Sequence, residues 1–132
     1  MNWTRSYSRS AYIDPLPPRS NLDILTGAAV TRIIFDNTTL SNLTATAVEY
    51  ASSASDEAKT VKVQKEVILA GGTVGSPQIL MLSGVGPKDV LGNAGVPLLS
   101  ELPGVGQHLQ DHLVRLVFIP VFFSDSECRV PA

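Results

Sequence analysis

Two adjacent glycines, Gly71 and Gly72, follow a short apolar run and precede the dipeptide Ser76-Pro77. Glycine permits a sharp turn and lets the backbone approach a ligand closely. Serine is a favoured helix N-cap, and proline suits the first helical position because its missing N–H would have no partner there. The free N–H groups and the dipole of such a helix favour an anion such as a diphosphate. The pattern therefore predicts either an anion-binding turn or an ordinary strand–helix connection.

The two histidines, His108 and His112, are the other side chains whose spacing is compatible with chemistry. Histidines four residues apart face the same side of a helix and can bind a metal together. No cluster of cysteines or carboxylates completes such a site in the sequence, so we predict no metal. The simpler interpretation is a loop histidine hydrogen-bonded beside Asp111. We predict no catalytic residue in the chain.

The first half of the chain has the patterning of antiparallel strands. Prolines at three nearby positions predict that residues 1–21 are irregular. Three strands are predicted, at residues 22–35, 45–50 and 60–65. In the third strand, Val61 and Val63 are expected to face inward. Alternating patterns separated by polar loops predict an antiparallel meander in which each strand has one wet face.

The pattern changes at residues 67–70, which are continuously apolar, as expected for a strand covered on both faces. A short buried helix is predicted from Ser76, and Gly84 or Gly86 can end it in the left-handed conformation. A second short helix is predicted over residues 87–94. The remaining predictions are a loop at 102–107, a helical turn at 108–112, a strand at 113–123 and an irregular tail at 124–132.

The specific residues carry more information than the pattern. The run GTVGSPQILMLSGVGP at residues 72–87 closely resembles a signature of the glucose–methanol–choline (GMC) oxidoreductases. Other pieces of the chain resemble the same family in the same order. They are residues 19–22 with 30–33, residues 65–70 and residues 102–112. The resemblance extends from about Arg5 to Val121, which is nearly the whole chain.

The resemblance implies an α/β fold: residues 1–123 would form part of a Rossmann-like FAD-binding domain that contains an antiparallel β-meander and two short helices. FAD is the implied cofactor. The backbone of Val30 would contact its adenine end, and the turn Ala70-Gly71-Gly72 would pass close to it. Glycine chemistry agrees with this role for the turn. For Val30, a role as a core strand residue fits the side chain equally well.

Two further elements of the family pattern have no counterpart in these 132 residues. They are an N-terminal Gly-x-Gly-x-x-Gly that holds the FAD diphosphate and a C-terminal histidine base. The chain is therefore expected to be an internal part of an FAD-dependent oxidoreductase that acts on the CH–OH group of alcohols, and to be inactive alone. A part of a hydroxynitrile lyase from the same family, and a non-catalytic truncated product or binding module, remain open alternatives. His108 stands where many members carry asparagine.

The composition is that of a globular domain, with 44% hydrophobic and 17% charged residues. A net charge of -2 does not favour binding to nucleic acid or to an anionic membrane surface. The apolar run at 113–123 is about half the length needed to span a bilayer. The expected partner of the intact enzyme is a small-molecule alcohol, with no nucleic acid and no membrane, and its oligomeric state is left open.

Three N-glycosylation sequons begin at Asn2, Asn37 and Asn42. Each triplet is common by chance, but three in so short a stretch favour a secreted glycoprotein as the parent. No apolar signal segment follows Met1, so a signal peptide would have to lie upstream of this chain.

Overall fold

The structure is a computed structural model and describes residues 5–36 and 43–111. Its elements are α1 (Ser8–Tyr12), β1 (Ala29–Asp36), β2 (Thr44–Ala51), β3 (Lys59–Lys62), α2 (Gly72–Leu82), β4 (Val85–Gly86), α3 (Lys88–Asn93) and β5 (Ser100–Glu101). This mixture of helices and strands confirms the predicted α/β class. His112, the predicted strand at 113–123 and the tail at 124–132 lie outside the described residues.

The three longer strands form an antiparallel sheet in the order β1-β2-β3, which confirms the meander. β1 is shorter than predicted, because residues 22–28 are irregular and Gly27 turns the chain with a φ of 67°. The prediction that Val61 faces inward is wrong. Its side chain is 54% exposed, since no described element covers β3. Val63, just past the end of β3, is half-buried.

The ladder between β1 and β2 contains a bulge at Thr31. Val30 pairs with Tyr50 and Arg32 pairs with Glu49, so Thr31 has no counterpart in the register. The Thr31 hydroxyl donates a hydrogen bond to the Glu49 carboxylate at 2.7 Å, and the Arg32 guanidinium binds both carboxylate oxygens at 2.9 and 3.1 Å. The bulge thus aims two neighbouring side chains at one carboxylate, and these hydrogen bonds lower the pKa of Glu49.

The helix α2 begins at Gly72, so the predicted start at Ser76 is wrong. Pro77 lies inside the helix, where it cannot donate the hydrogen bond to the carbonyl of Thr73. The Ser76 hydroxyl accepts a hydrogen bond from the backbone N–H of Gly71 at 3.0 Å. This bond holds the chain against the first turn of the helix and explains why the helix starts earlier than its proline suggests.

The ends of both predicted helices are confirmed. Gly84 has a φ of 84° directly after α2, and Gly95 has a φ of 69° directly after α3. Both are left-handed conformations that glycine adopts without steric cost. Pro87 is the N-cap of α3, so this helix starts one residue later than predicted.

The core lies around α2, α3 and a short parallel pair, β4 with β5, that the sequence did not predict. Its buried side chains include Ile33, Ser83, Val85 and Leu91. The prediction that α2 is a buried helix is wrong for the helix itself, since none of its residues is buried. The burial begins at the residue that follows it.

The apolar run at residues 67–70 is not a hydrogen-bonded strand, contrary to the prediction. Its side chains alternate between half-buried and exposed, and Ile68 is 79% exposed. A strand is held by ladder hydrogen bonds to a neighbour, and no described strand pairs with this segment. The run therefore has the composition of a strand that is buried on both faces, but no described strand pairs with it.

The N-terminal segment contains a short helix, α1, where irregular structure was predicted. The helix ends before the first proline, so the prolines do not interrupt it. Ser10 and Tyr7 exchange hydrogen bonds at its start, and none of its residues is buried. No helix of the described residues has the length and apolar character needed to cross a lipid bilayer.

Candidate functional site

The turn Ala70-Gly71-Gly72 is exposed and leads directly into α2. A Cβ on Gly71 would lie 3.0 Å from the backbone nitrogen of Ser76 and 3.1 Å from the carbonyl carbon of Gly75. Gly72 has open space beside it, but its φ of 78° disfavours any residue with a side chain. The first glycine is therefore required by packing and the second by backbone conformation.

The start of α2 also has the electrostatic character that an anionic group needs. No acidic residue lies in the first turn of the helix. Backbone N–H groups and the positive end of the helix dipole are directed toward this turn. The exposed backbone and the absence of negative side chains in this turn are compatible with the approach of an anionic ligand.

Val30 lies on β1, immediately before the bulge at Thr31, and is 42% exposed. This exposure does not favour the alternative role as a core residue. β1 is an edge strand of the described sheet, because β2 is its one neighbour there. Its outer edge is therefore accessible to a ligand at this position.

The structure connects Val30 and the turn only indirectly. β1 and α2 meet at the C-terminal end of the helix, where the backbone N–H of Ile33 donates a hydrogen bond to the Ser83 hydroxyl at 2.7 Å. The 11 residues of α2, at about 1.5 Å per residue, separate this contact from Gly72 by about 15 Å. The two predicted contact points thus lie on β1 and at the start of α2. They are connected through the length of α2 and its contact with β1.

An open groove of about 530 Å³ lies beside the first turns of α2. Its lining includes Thr73, Val74, Pro77 and Gln78 of the helix and Gly106, Gln107 and Leu109 of the later loop. Gly106 comes so near that a Cβ there would lie 3.4 Å from the Met81 methyl carbon. Sequence reasoning missed this groove because its two sides are distant in the chain and only the fold brings them together.

His108 lies exposed in this loop with a left-handed φ of 57°. The predicted helical turn is therefore wrong for the described residues 108–111. Histidine, like asparagine, adopts the left-handed region more readily than most residues, so this conformation is compatible with His108. Within residues 5–36 and 43–111 there is no group of three or more potential metal-binding side chains.

Ser83 is a residue that sequence reasoning missed. It is 6% exposed, and its hydroxyl donates a hydrogen bond to the carbonyl of Ile79 at 2.5 Å while accepting one from Ile33. A serine at the end of an apolar helix, directly before the glycine that ends it, is a weak signal for such a contact. Its partner on β1 lies 50 positions earlier in the chain.

Comparisons with known proteins agree with this architecture. The profile of the GMC oxidoreductase family matches residues 2–114. Over 112 residues the chain is 52% identical to the GMC oxidoreductase family protein Mala s 12 of Malassezia sympodialis, covering 85% of this chain and 18% of that protein. It is 41% identical over 109 residues to the oxygen-dependent choline dehydrogenase of Yersinia pseudotuberculosis, covering 83% of this chain and 18% of the relative.

Among solved structures, the FAD-dependent oxidoreductase from Chaetomium thermophilum superimposes with a TM-score of 0.64 at 36% identity, covering 73% of this chain and 16% of that one. The chain thus spans less than a fifth of the length of each of these relatives. The matched region is the FAD-binding domain of the family, and FAD is its cofactor. The chain belongs to the GMC oxidoreductase family and forms part of its N-terminal, FAD-binding region.

Proposed function

We propose that this chain forms one side of the FAD site of an oxidoreductase that acts on the CH–OH group of an alcohol. The observation that carries the proposal is the turn Ala70-Gly71-Gly72, whose two glycines leave the backbone open where α2 begins. Glycines at such a turn let the backbone approach a bound cofactor closely. FAD, when bound, accepts the hydride that leaves the alcohol carbon.

The residues of this chain contribute binding and orientation. The backbone of the turn would pass close to the cofactor, and the backbone of Val30 would contact its adenine end. We assign no catalytic base among the described residues, because His108 lies exposed in a loop at the surface. Removal of the hydroxyl proton requires a positioned base. The 132 residues alone are therefore expected to bind FAD weakly and to oxidise no alcohol.

Glycine variants test the binding role directly. Gly71→Ala places a Cβ against the helix backbone, and Gly72→Ala forces alanine into a left-handed conformation. Gly75→Ala is the matched control, because it lies in the same helix and its Cβ would meet open space. We expect each of the first two substitutions to weaken FAD binding about tenfold in equilibrium dialysis, which corresponds to ~1.4 kcal/mol. Equal affinity in all four proteins would contradict the proposal.

Alcohol-dependent bleaching of the flavin tests the claim about the missing base. The chain is mixed with FAD and a series of primary and secondary alcohols under anaerobic conditions, and the absorption of oxidised flavin is followed. We expect no bleaching with any alcohol. Bleaching by one of them would show that the chain carries its own base and would overturn that part of the proposal.

We also propose that the parent protein is secreted and glycosylated. The support is the set of three sequons, whose asparagines lie outside the described residues. Expression through a eukaryotic secretory pathway and treatment with an N-glycosidase should lower the apparent mass on a gel. An unchanged mass would contradict this proposal without affecting the cofactor site.

A further inference from the structure

The contact between the sheet and α2 includes one buried hydroxyl. Ser83 directly follows the last residue of α2, and its hydroxyl joins the backbone N–H of Ile33 on β1 to the carbonyl of Ile79 in the helix. A hydroxyl can donate one hydrogen bond and accept two, so one side chain serves both elements. This link, the hydrogen bond between Ile33 and Ser83, joins two buried residues, which are 5% and 6% exposed.

The Ile33 amide has a particular need for this partner. Its N–H lies on the outer edge of β1 and bonds to the Ser83 hydroxyl instead of to β2. A buried amide N–H almost always has a hydrogen-bond partner, because leaving it unpaired is costly. The hydrogen bond between Ile33 and Ser83 therefore holds β1 and α2 in one relative position. No backbone group of either element can take its place.

The backbone that follows Ser83 is held in place by close contacts and hydrogen bonds. A Cβ on Gly84 would lie 2.6 Å from the carbonyl oxygen of Pro97, so the backbones are in close contact there. The Gly84 carbonyl also accepts hydrogen bonds from the N–H groups of Leu99 and Ser100 at 2.8 and 3.1 Å. The end of α2 is thus fixed on one side by β1 and on the other by the segment that leads into β5.

We propose that Ser83 is a positioning residue for the cofactor site: it sets the orientation of α2 on β1 and thereby the position of the turn Ala70-Gly71-Gly72 relative to Val30. Its role in cofactor binding rests on the proposed function, whereas its effect on the spacing does not. Ser83 is not itself one of the proposed cofactor contacts, because it lies at the end of α2 that is opposite to the turn.

The length of α2 makes this orientation important. The turn lies about 15 Å from Ser83, so a tilt of about 10° at the link moves the turn by about 2.6 Å. Binding groups must be held within about 0.5 Å of their productive positions. A small loss of order at Ser83 is therefore enough to move the two proposed contacts out of register, even when the helix itself stays folded.

Distance measurements between spin labels test the spacing. One label is placed at the exposed Val74 on α2 and the other at the exposed Thr60 on β3, in a background that carries Cys128→Ser. Pulsed electron paramagnetic resonance then reports the distance distribution. We compare Ser83→Ala, which removes the hydroxyl, with Ser83→Thr, which keeps it.

Leu91→Val is the control for general destabilisation, because Leu91 is 1% exposed in the same core and has no part in the link. We expect one narrow distribution for the parent protein, Ser83→Thr and Leu91→Val, and a distribution at least about 2 Å broader for Ser83→Ala. A distribution for Ser83→Ala that matches the parent would overturn the inference.

Hydrogen exchange of the Ile33 amide supplies a test that needs no variant. If the link is as firm as proposed, this amide exchanges as slowly in the parent protein as those of Leu99 and Ser100, which bond to Gly84. Exchange of Ile33 at the rate of an exposed strand edge would overturn the inference, whether or not Ser83→Ala folds.

The cofactor readout separates this inference from the proposed function. We expect Ser83→Ala to weaken FAD binding about tenfold while Leu91→Val and Ser83→Thr leave it within about twofold. If Gly71→Ala weakens FAD binding but Ser83→Ala does not, the positioning role is wrong and the proposed function stands. If neither substitution affects FAD binding, the proposed function is wrong, and the positioning role with it.

Discussion

The helical part of the described chain and its sheet bury apolar side chains to very different degrees. Around α2 and α3, Val85 is 5% and Leu91 1% exposed. On the sheet side, Val61 of β3 is 54% exposed, and Ile68 in the segment that follows is 79% exposed. The sequence predicted burial for Val61 and Ile68 and made no such prediction for Val85 or Leu91, so the apolar pattern alone does not identify the core.

The difference shows where the partners of each part lie. Apart from Ile33 on β1, the helical part finds its partners within about 30 residues, in α2, α3 and the pair β4–β5. By contrast, β3 and the run at 67–70 are covered by no described element. The chain spans 18% of the relative Mala s 12, so most of that relative's length has no counterpart among these residues.

The largest effect is expected at Gly84, in the tightly packed part. Gly84→Ala combines a φ of 84° with a Cβ that would lie 2.8 Å from Leu99 Cγ. We expect a loss of about 4 kcal/mol in the free energy of unfolding, the sum of left-handed strain and overpacking. Gly92→Ala in α3 is the control, because its Cβ would meet open space, and it should be neutral or stabilising. Denaturant unfolding measures both, and similar losses would remove the distinction.

The next effect contrasts the two parts directly. Leu91→Ala empties a fully buried site and should cost about 3 kcal/mol. Ile68→Ala removes an aliphatic side chain of the same carbon count from an exposed site and should change the free energy of unfolding by less than about 0.5 kcal/mol. Denaturant unfolding followed by circular dichroism compares them. An equal cost at Ile68 would mean that the run at 67–70 is packed in solution.

A smaller effect is expected on self-association of the chain. The exposed apolar run and the open sheet edge favour contacts between copies. Ile68→Lys should weaken association by about 1.5 kcal/mol, roughly tenfold in concentration, as measured by light scattering over a dilution series. Asn93→Lys adds the same charge at an exposed polar position in α3, outside the sheet, and serves as the control. An equal reduction by both would assign the effect to charge alone.

The smallest effect concerns the ion pair on the sheet. Hydrogen bonds from Arg32 and Thr31 lower the pKa of Glu49 below 4.5, its unperturbed value. A lowered pKa contributes stability that is present above the unfolded value and is lost as the pH falls through the folded value. Because Arg32 is 55% exposed, screening limits the contribution to about 0.5 kcal/mol. Arg32→Ala should therefore lose less stability than the parent between pH 6 and pH 3, and an identical pH profile would contradict this.

The features that the sequence predicts correctly are those with local causes. Gly84 and Gly95 end their helices because left-handed conformations require glycine, and the alternating strands pair because they are neighbours in the chain. The family signature at 72–87 could also be recognised from the sequence, because it is a continuous run of residues.

The incorrect predictions have causes that are distant in the chain or that override a local signal. Ser76 was expected to cap a helix but instead binds the N–H of Gly71, within a helix that starts four residues earlier. The run at 67–70 has a covered-strand composition, but its cover is absent from the described residues. Ser83 and Ile33 meet through the fold alone, so no spacing in the sequence indicates their contact.

The most direct test of the proposed cofactor site is a titration of the 15N-labelled chain with FAD, followed by NMR up to millimolar concentration, where weak binding is still detectable. The account predicts saturable shifts at the amides of Gly71, Gly72 and Thr73 and at Val30, with little change at Leu91 in the core. Shifts confined to other residues, or no saturable shifts at all, would contradict the assignment of this turn and strand to the FAD site.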